Sequence, residues 1–225
     1  MGFELNDRVV ALNVQLQAFM DKHIYPREHD WHEWCLDQDN LWVTPPWFDE
    51  LRELAKAEGL WNLFLPREYA PWSPGLSNVE IAPLFETMSK VLWAQPVFNC
   101  NAPDRGNMEV LAKYGTEAQQ KQWLDPLLAG EIRSAYAMTE PQVASSDATN
   151  MELEITRDGD EYVLNGRKWW TTGAINPRCK IMLVMGKSNP ENPRHRPHST
   201  RLVPRDTPGI TSARPLRVFA TLPSP

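Results

Sequence analysis

The chain has 225 residues, about one and a half times the ~150 residues of a typical domain, so one large domain or two modest ones are expected. With 42% hydrophobic and 23% charged residues it has the composition of a folded globular protein, which argues against a disordered chain or a coiled coil. A net charge of −6 excludes the cationic surplus that non-specific nucleic-acid binding requires, and Cys35, Cys100 and Cys179 form neither a CxxC pair nor an even disulfide set. The apolar runs, such as Ile181 to Met185, are far shorter than the ~18 residues of a membrane span, so a soluble intracellular chain is expected.

In chain order, Leu5, Val9, Leu12, Leu16, Phe19 and His23 recur at spacings of three and four, which predicts a core-facing helix closed by Pro26. His23, His29 and His32 lie near Glu28 and Glu33, but their spacing does not place three ligands on one helical face. Thr44-Pro45 predicts the start of a second helix ending near Gly59, with Trp47, Leu51, Leu54 and Ala55 as its apolar side. Ser77 followed by Glu80 is a capping box that opens a third helix, with Pro83 expected in its first turns. A short helix over 107–114 should stop at Gly115, and Thr116 with Gln119 forms a second capping box for a helix running toward Gly130.

Beyond Gly130 the pattern becomes one of short strands: 152–156, 162–164, 168–172, 180–185, 200–203 and 217–219, with the turn signals Asp158-Gly159 and Asn165-Gly166 between the first three. The expected fold class is α+β: an all-helical domain over 1–133 followed by a small antiparallel β domain over 134–225. There is no GxGxxG or GxxxxGK[ST] phosphate loop, so any nucleotide cofactor must be held in another way. Eight of the 20 prolines fall in the last 37 residues, where six arginines face only Glu191 and Asp206, so the tail differs in composition from the body.

The residues with most chemical content lie at the junction. Residues 136–147 predict a strand ending in a turn rich in small hydroxyl side chains and backbone amides, suited to a polar or anionic ligand edge and equally to a plain strand end capped by Ser146 or Asp147. Residues 165–173 place Trp169 and Trp170 before Thr171 and Thr172. On a strand the two rings face opposite sides, and one can wall a planar ligand while a threonine hydroxyl bonds its edge.

These segments, together with residues 114–131, Ala137-Met-Thr-Glu-Pro141, the 158–166 hairpin region and Thr207-Pro-Gly209, resemble the acyl-CoA dehydrogenase family. Residues 143–150 and the Trp169-Trp170 pair look most like the branch that contains mammalian members ten and eleven. The resemblance implies FAD as prosthetic group, an acyl-CoA substrate oxidised at its Cα–Cβ bond, an electron-transfer flavoprotein as acceptor and a homo-oligomer when complete. It implies a cytoplasmic protein if bacterial, and a mitochondrial or peroxisomal one if eukaryotic. By position, Tyr136, Ala137, Met138 and Thr139 match the family's flavin-edge strand. Ser145 and Ser146 match the turn near the FAD pyrophosphate, with Ser146 also near the CoA portion of the substrate. Trp170, Thr171 and Thr172 match the segment on the flavin face opposite the substrate. Glu140 matches a structural part of the turn, and the catalytic base is expected beyond Pro225 in a C-terminal helical bundle absent from this sequence, leaving the β domain incomplete. Residues 142–147 also depart from the family's common Gly-Ala-Gly-Ser-Asp turn by one extra residue and two missing glycines. The isolated chain is accordingly expected to be inactive, and a non-catalytic flavin- or acyl-CoA-binding fragment is the alternative. An oxidase, a nitroalkane-oxidising enzyme or a flavin monooxygenase of the same fold is a further one.

Overall fold

A computed structural model describes residues 4–37, 43–189, 191–193, 195 and 197–216. The described residues divide into two compact units, one ending at Gly130 and one over Glu131–Leu216.

The first unit is helical. Helix α1 (Asp7–Phe19) begins where the Asn6 side chain accepts the Val9 amide proton, and it continues through a π turn (Met20–Ile24) and a 3-10 turn (Tyr25–Arg27) that contains Pro26. Val9, Leu16 and Phe19 from the predicted stripe are buried, whereas Leu5 precedes the helix and is exposed. Helix α2 (Glu28–Leu36) was not predicted. None of its residues is fully buried, so it lacks the apolar periodicity that sequence reasoning relies on.

Helix α3 (Trp47–Ala57) starts two residues after the expected point. Thr44 does not cap it, and Pro46 occupies the N-cap without a side-chain bond. Its inner face is Phe48, Leu51 and Ala55, while Leu54 turns outward. Trp31, Trp47, Phe48 and Trp93 form a connected aromatic cluster, with Trp31 and Trp93 stacked at 5.3 Å.

Helix α4 (Asn78–Met88) has both bonds of the predicted capping box, and Pro83 lies within its first two turns, as expected. Helix α5 (Asp104–Tyr114) starts three residues before the predicted 107. The second capping box opens α6 (Glu117–Gln119), which runs through a π turn (Gln120–Leu124) into α7 (Asp125–Ala129).

The end of α7 explains several buried polar groups. A helix leaves its last carbonyls without intrahelical partners, and here side chains supply the donors. Asn99 Nδ2 donates to Leu127 O at 2.9 Å, Trp61 Nε1 and Asn62 Nδ2 donate to Leu128 O at 2.7 and 2.9 Å, and Arg52 donates to Gly130 O at 2.7 Å. Gly130 itself has φ +73°, and a Cβ there would collide with the Arg52 and Trp61 side chains, so only glycine fits this helix end.

The second unit is a five-stranded curled sheet: β1 (Arg133–Ala137), β2 (Glu154–Asp158), β3 (Glu161–Asn165), β4 (Cys179–Lys187) and β5 (His198–Pro204). β2 and β3 form the hairpin predicted around Asp158-Gly159, and β4 pairs antiparallel with β5 along its length. The sheet is mixed rather than wholly antiparallel, because β1 lies parallel to β4 and β2 meets β4 in parallel at Glu154 and Lys187. Since β5 occupies one edge of β4, β1 and β2 share the other edge at its two ends. Gly186 permits this arrangement, for a Cβ there would stand 2.8 Å from Ile155 Cγ1 and 2.9 Å from the Leu153 carbonyl oxygen. The core of this unit is Ala135, Ala137, Leu153, Ile155, Cys179, Met182 and Val184.

Residues 168–172, expected to be a strand, lie outside any strand and lead into a turn that begins at Thr172. The expected strand over 217–219 lies outside the described residues. No helix among the described residues is long and apolar enough to cross a membrane.

Candidate functional site

All nine residues singled out from the sequence fall within the second unit, on two segments that leave the sheet: 136–147, which continues β1, and 166–173, which follows β3. The two are tied together. Trp169 N–H donates to Thr139 O at 3.0 Å, and Thr139 Oγ1 donates back to Trp169 O at 2.9 Å. Lys168 Nζ donates to Met138 O at 2.7 Å and to Glu140 Oε1 at 2.8 Å. Four bonds therefore hold the end of β1 against the turn before Thr171.

Glu140 is the buried anchor of this rim. Besides Lys168, its carboxylate accepts from Glu152 N at 2.7 Å and Leu153 N at 2.9 Å, so it joins three separate stretches of chain. Burial raises the carboxyl, but the Lys168 hydrogen bond, the two amides and the Lys168 charge together outweigh that and hold it below its ordinary value. Burial likewise pulls the Lys168 ammonium below its ordinary value, with Glu140 offsetting only part of the effect. The side chains of this pair are only 3% and 9% exposed.

The remaining residues divide by what they can present outward. Ala137 points into the core, so only its backbone can serve a ligand. Tyr136 is half-buried, with its hydroxyl 3.7 Å from Met185 Sδ. Thr139 has committed its single hydroxyl proton to Trp169 O, which leaves lone pairs to offer. Ser145 is buried, and its hydroxyl accepts from Glu140 N, closing the turn from within. Ser146 is exposed, while Asp147 rather than Ser146 caps the 3-10 turn Ala148–Asn150 by accepting from Thr149 N at 3.0 Å.

Trp170 departs most from expectation. It has φ +51°, in the left-handed region that bulky residues rarely enter, and Thr172 N donates to its carbonyl at 3.0 Å. Its ring is therefore not placed by strand alternation. It lies 6.0 Å from that of Trp169 at 54°, and the residue is 48% exposed. The result is an uncovered indole beside the hydroxyl-bearing Thr171 and Thr172. Lys168 was missed as part of this site because a lysine within an apparent strand reads as a solvated charge. The detectable signal was a buried-turn glutamate with a lysine after the Asn-Gly pair, and neither residue alone carries it.

A helical unit followed by a curled mixed sheet defines the class, the acyl-CoA dehydrogenase fold. A solved structure from Mycobacterium abscessus superimposes with a TM-score of 0.89 at 48% identity over 95% of this chain, which is 54% of that one. The glutaryl-CoA dehydrogenase of Mycobacterium smegmatis, solved in complex with FADH2, shares the fold with a TM-score of 0.73 at 21% identity, over 98% of this chain and 52% of that one. The family models for the N-terminal and middle domains of acyl-CoA dehydrogenases match residues 7–131 and 135–222, and the chain belongs to this family. It is similar to acyl-CoA dehydrogenase family member 10 of Mus musculus, 52% identical over 96% of this chain and 20% of that protein. The chain thus spans between a fifth and about half the length of these relatives.

Proposed function

We propose that this chain supplies the flavin-edge part of an FAD-dependent acyl-CoA dehydrogenase. The observation that carries the proposal is the rim itself: an exposed indole and two threonines held beside the end of β1 by paired hydrogen bonds. Its residues fit a planar ring system with polar edges, because a flat apolar face and hydroxyl or amide donors stand together. The FADH2 in the glutaryl-CoA dehydrogenase of the same fold supports this choice of cofactor.

FAD, when bound, supplies the two-electron acceptor for oxidation of an acyl-CoA thioester at its Cα–Cβ bond. Trp170 would cover a face of its ring, and Thr171 and Thr172 with the backbone of Tyr136, Ala137, Met138 and Thr139 would hold its edges. Ser146 would meet the pyrophosphate and the CoA portion of the substrate, with Ser145 shaping that turn from inside.

Within this rim no carboxylate is placed to remove a proton. Glu140 is locked by Lys168 and two amides, and Asp147 accepts from Thr149 through both its amide and its hydroxyl. Removal of the α-proton therefore falls to a group outside the rim. An electron-transfer flavoprotein as acceptor and a homo-oligomeric whole protein complete the proposal.

The test is titration of the chain with FAD, followed by flavin fluorescence. Quenching is expected with the wild-type chain and weaker binding with Trp170→Ala; unchanged affinity and spectrum in the variant would remove Trp170 from the site. Steady-state reduction of an artificial acceptor by the chain with acyl-CoA is expected to be absent, and turnover would place the base within it.

A further inference from the structure

We propose that Lys168 is a positioning residue for the flavin-contacting turn, acting through Glu140 and Met138 to hold Trp170 in its left-handed conformation. The inference rests on the FAD reading of this rim. It adds a residue that touches no part of the proposed cofactor surface and yet sets the shape of that surface.

The argument starts from Trp170. An L-residue with a large side chain relaxes to negative φ unless its surroundings over-determine the backbone. Immediately around Trp170 the hydrogen bonds on the C-terminal side are local: Thr172 N to Trp170 O, and Thr171 Oγ1 to Trp169 O at 3.5 Å. Bonds of this kind move with the turn, and the first tie beyond it comes four residues after Trp170, where Arg205 Nε donates to Ala174 O at 2.8 Å. The nearer anchoring comes from the N-terminal side. Trp169 is paired with Thr139, and Lys168 reaches Met138 O and the Glu140 carboxylate.

Of these contacts only the Lys168 pair reaches beyond the adjacent strand end. Glu140 also grips the amides of Glu152 and Leu153, and Leu153 is a core residue of the sheet. Lys168 thereby connects the turn to the packed core two residues before Trp170. A charge-assisted bond in a site shielded from water holds such a connection more firmly than a neutral, solvated one. Lysine suits this role because its ammonium can donate to a carbonyl and a carboxylate at once from a flexible stem.

The pair is turned to structure rather than to chemistry at the described rim. Both partners are engaged and both side chains are nearly buried, whereas Trp170 and Ser146 are exposed. Its effect on the ligand is therefore indirect, through the angle and the stillness of the indole wall.

The experiment uses the 225-residue chain labelled with 5-fluorotryptophan, with the Trp169 and Trp170 19F resonances assigned by Trp169→Phe and Trp170→Phe. The informative variant is the double substitution Glu140→Gln with Lys168→Met, which leaves no unpaired buried charge. Its Trp169 and Trp170 resonances are expected to shift or broaden while those of Trp31, Trp47 and Trp93 stay in place, and its FAD affinity to fall about tenfold or more. Lys168→Arg, which keeps the charge, is expected to recover most of both. Unchanged Trp169 and Trp170 resonances would overturn the proposal, as would shifted resonances with an unchanged FAD affinity. If the wild-type chain fails to bind FAD while the resonances respond as stated, the positioning of Trp170 stands and the cofactor assignment is what falls.

Discussion

Thr139 and Trp169 hold each other by two hydrogen bonds of opposite direction, amide to carbonyl at 3.0 Å and hydroxyl to carbonyl at 2.9 Å. The first is a backbone bond that any residue at position 139 preserves. The second depends on the side chain. Thr139→Val keeps the β-branch and removes the hydroxyl, leaving Trp169 O with the longer contact from Thr171. The expected cost is about 1 kcal/mol of stability, read as a lowered urea midpoint with an unchanged slope. Thr139→Ser should stay near wild type; a valine variant as stable as wild type would show that the hydroxyl bond is not contributing.

Asn99 provides a larger effect in the helical unit. It is buried, adopts φ +54°, and its amide donates both to Leu127 O and to Asn62 Oδ1 at 2.8 Å. Asn99→Ala removes the bonds to Leu127 O and Asn62 Oδ1, leaving Leu127 O only its bond from Gly130 N, and forces a Cβ-bearing residue without a local polar partner to keep a left-handed backbone. Together these are expected to destabilise the unit by about 2–4 kcal/mol in equilibrium unfolding. Asn99→Gly removes only the hydrogen bonds, so it should cost measurably less. Equal costs for the two variants would mean that backbone strain plays no part.

Glu80 ties acid stability to a capping box. Its carboxylate accepts from the Ser77 amide and hydroxyl at 2.7 Å and from the Asn6 side chain, and it pairs with Arg67 at 2.8 Å. The Ser77 amide above all, then the Ser77 hydroxyl, holds its pKa at about 2. The folded value lies below the unfolded value of about 4.3, so this carboxylate stabilises the fold fully above that range. The contribution is lost as pH falls from about 5 toward 2. Glu80→Gln should be less stable than wild type at pH 7, and the gap should close on acidification. A gap that stays constant down to pH 2 would assign the difference to something other than this ionisation.

Several local rules carried over from sequence to structure, although the Thr44 cap and the strand expected after Asn165-Gly166 did not. Both capping boxes link positions three apart and are present as predicted, because neither depends on the rest of the chain. The hairpin around Asp158-Gly159 is equally self-contained. The parallel pairing of β1 with β4 was not legible, since its partners are far apart in sequence and no hydrophobic period records which edge a strand will take. In the site, the family resemblance supplied the residues but not their orientation. Two aromatics and two threonines have strong strand propensity, yet the segment is held to the end of β1 through Thr139 and Lys168 without joining the sheet ladder. Ser145 and Ser146 look alike in sequence, and only the fold sends one inward to Glu140 and the other outward.

The cysteines offer a separate reporter for each unit. Cys100 is fully buried in the helical unit, and that burial pushes its thiol up to about 12, while Cys179 lies in the core of the sheet unit. Cys35 is only partly covered, with its thiol raised by a lesser burial. Alkylation needs both access and thiolate, and at pH 8 a thiol with a pKa near 12 is ionised to only about one part in ten thousand. In the native chain iodoacetamide at pH 8 should therefore modify Cys35 first, more slowly than a free cysteine, and leave Cys100 and Cys179 protected. Reaction at Cys100 then requires opening of the helical unit, and reaction at Cys179 requires opening of the sheet. Under increasing urea, peptide mapping should show Cys100 and Cys179 becoming reactive at separate midpoints if the two units unfold independently. Asn99→Ala should then advance Cys100 alone, and Thr139→Val should advance Cys179 alone. Coincident shifts of both sites in both variants would show that the chain unfolds as one cooperative body.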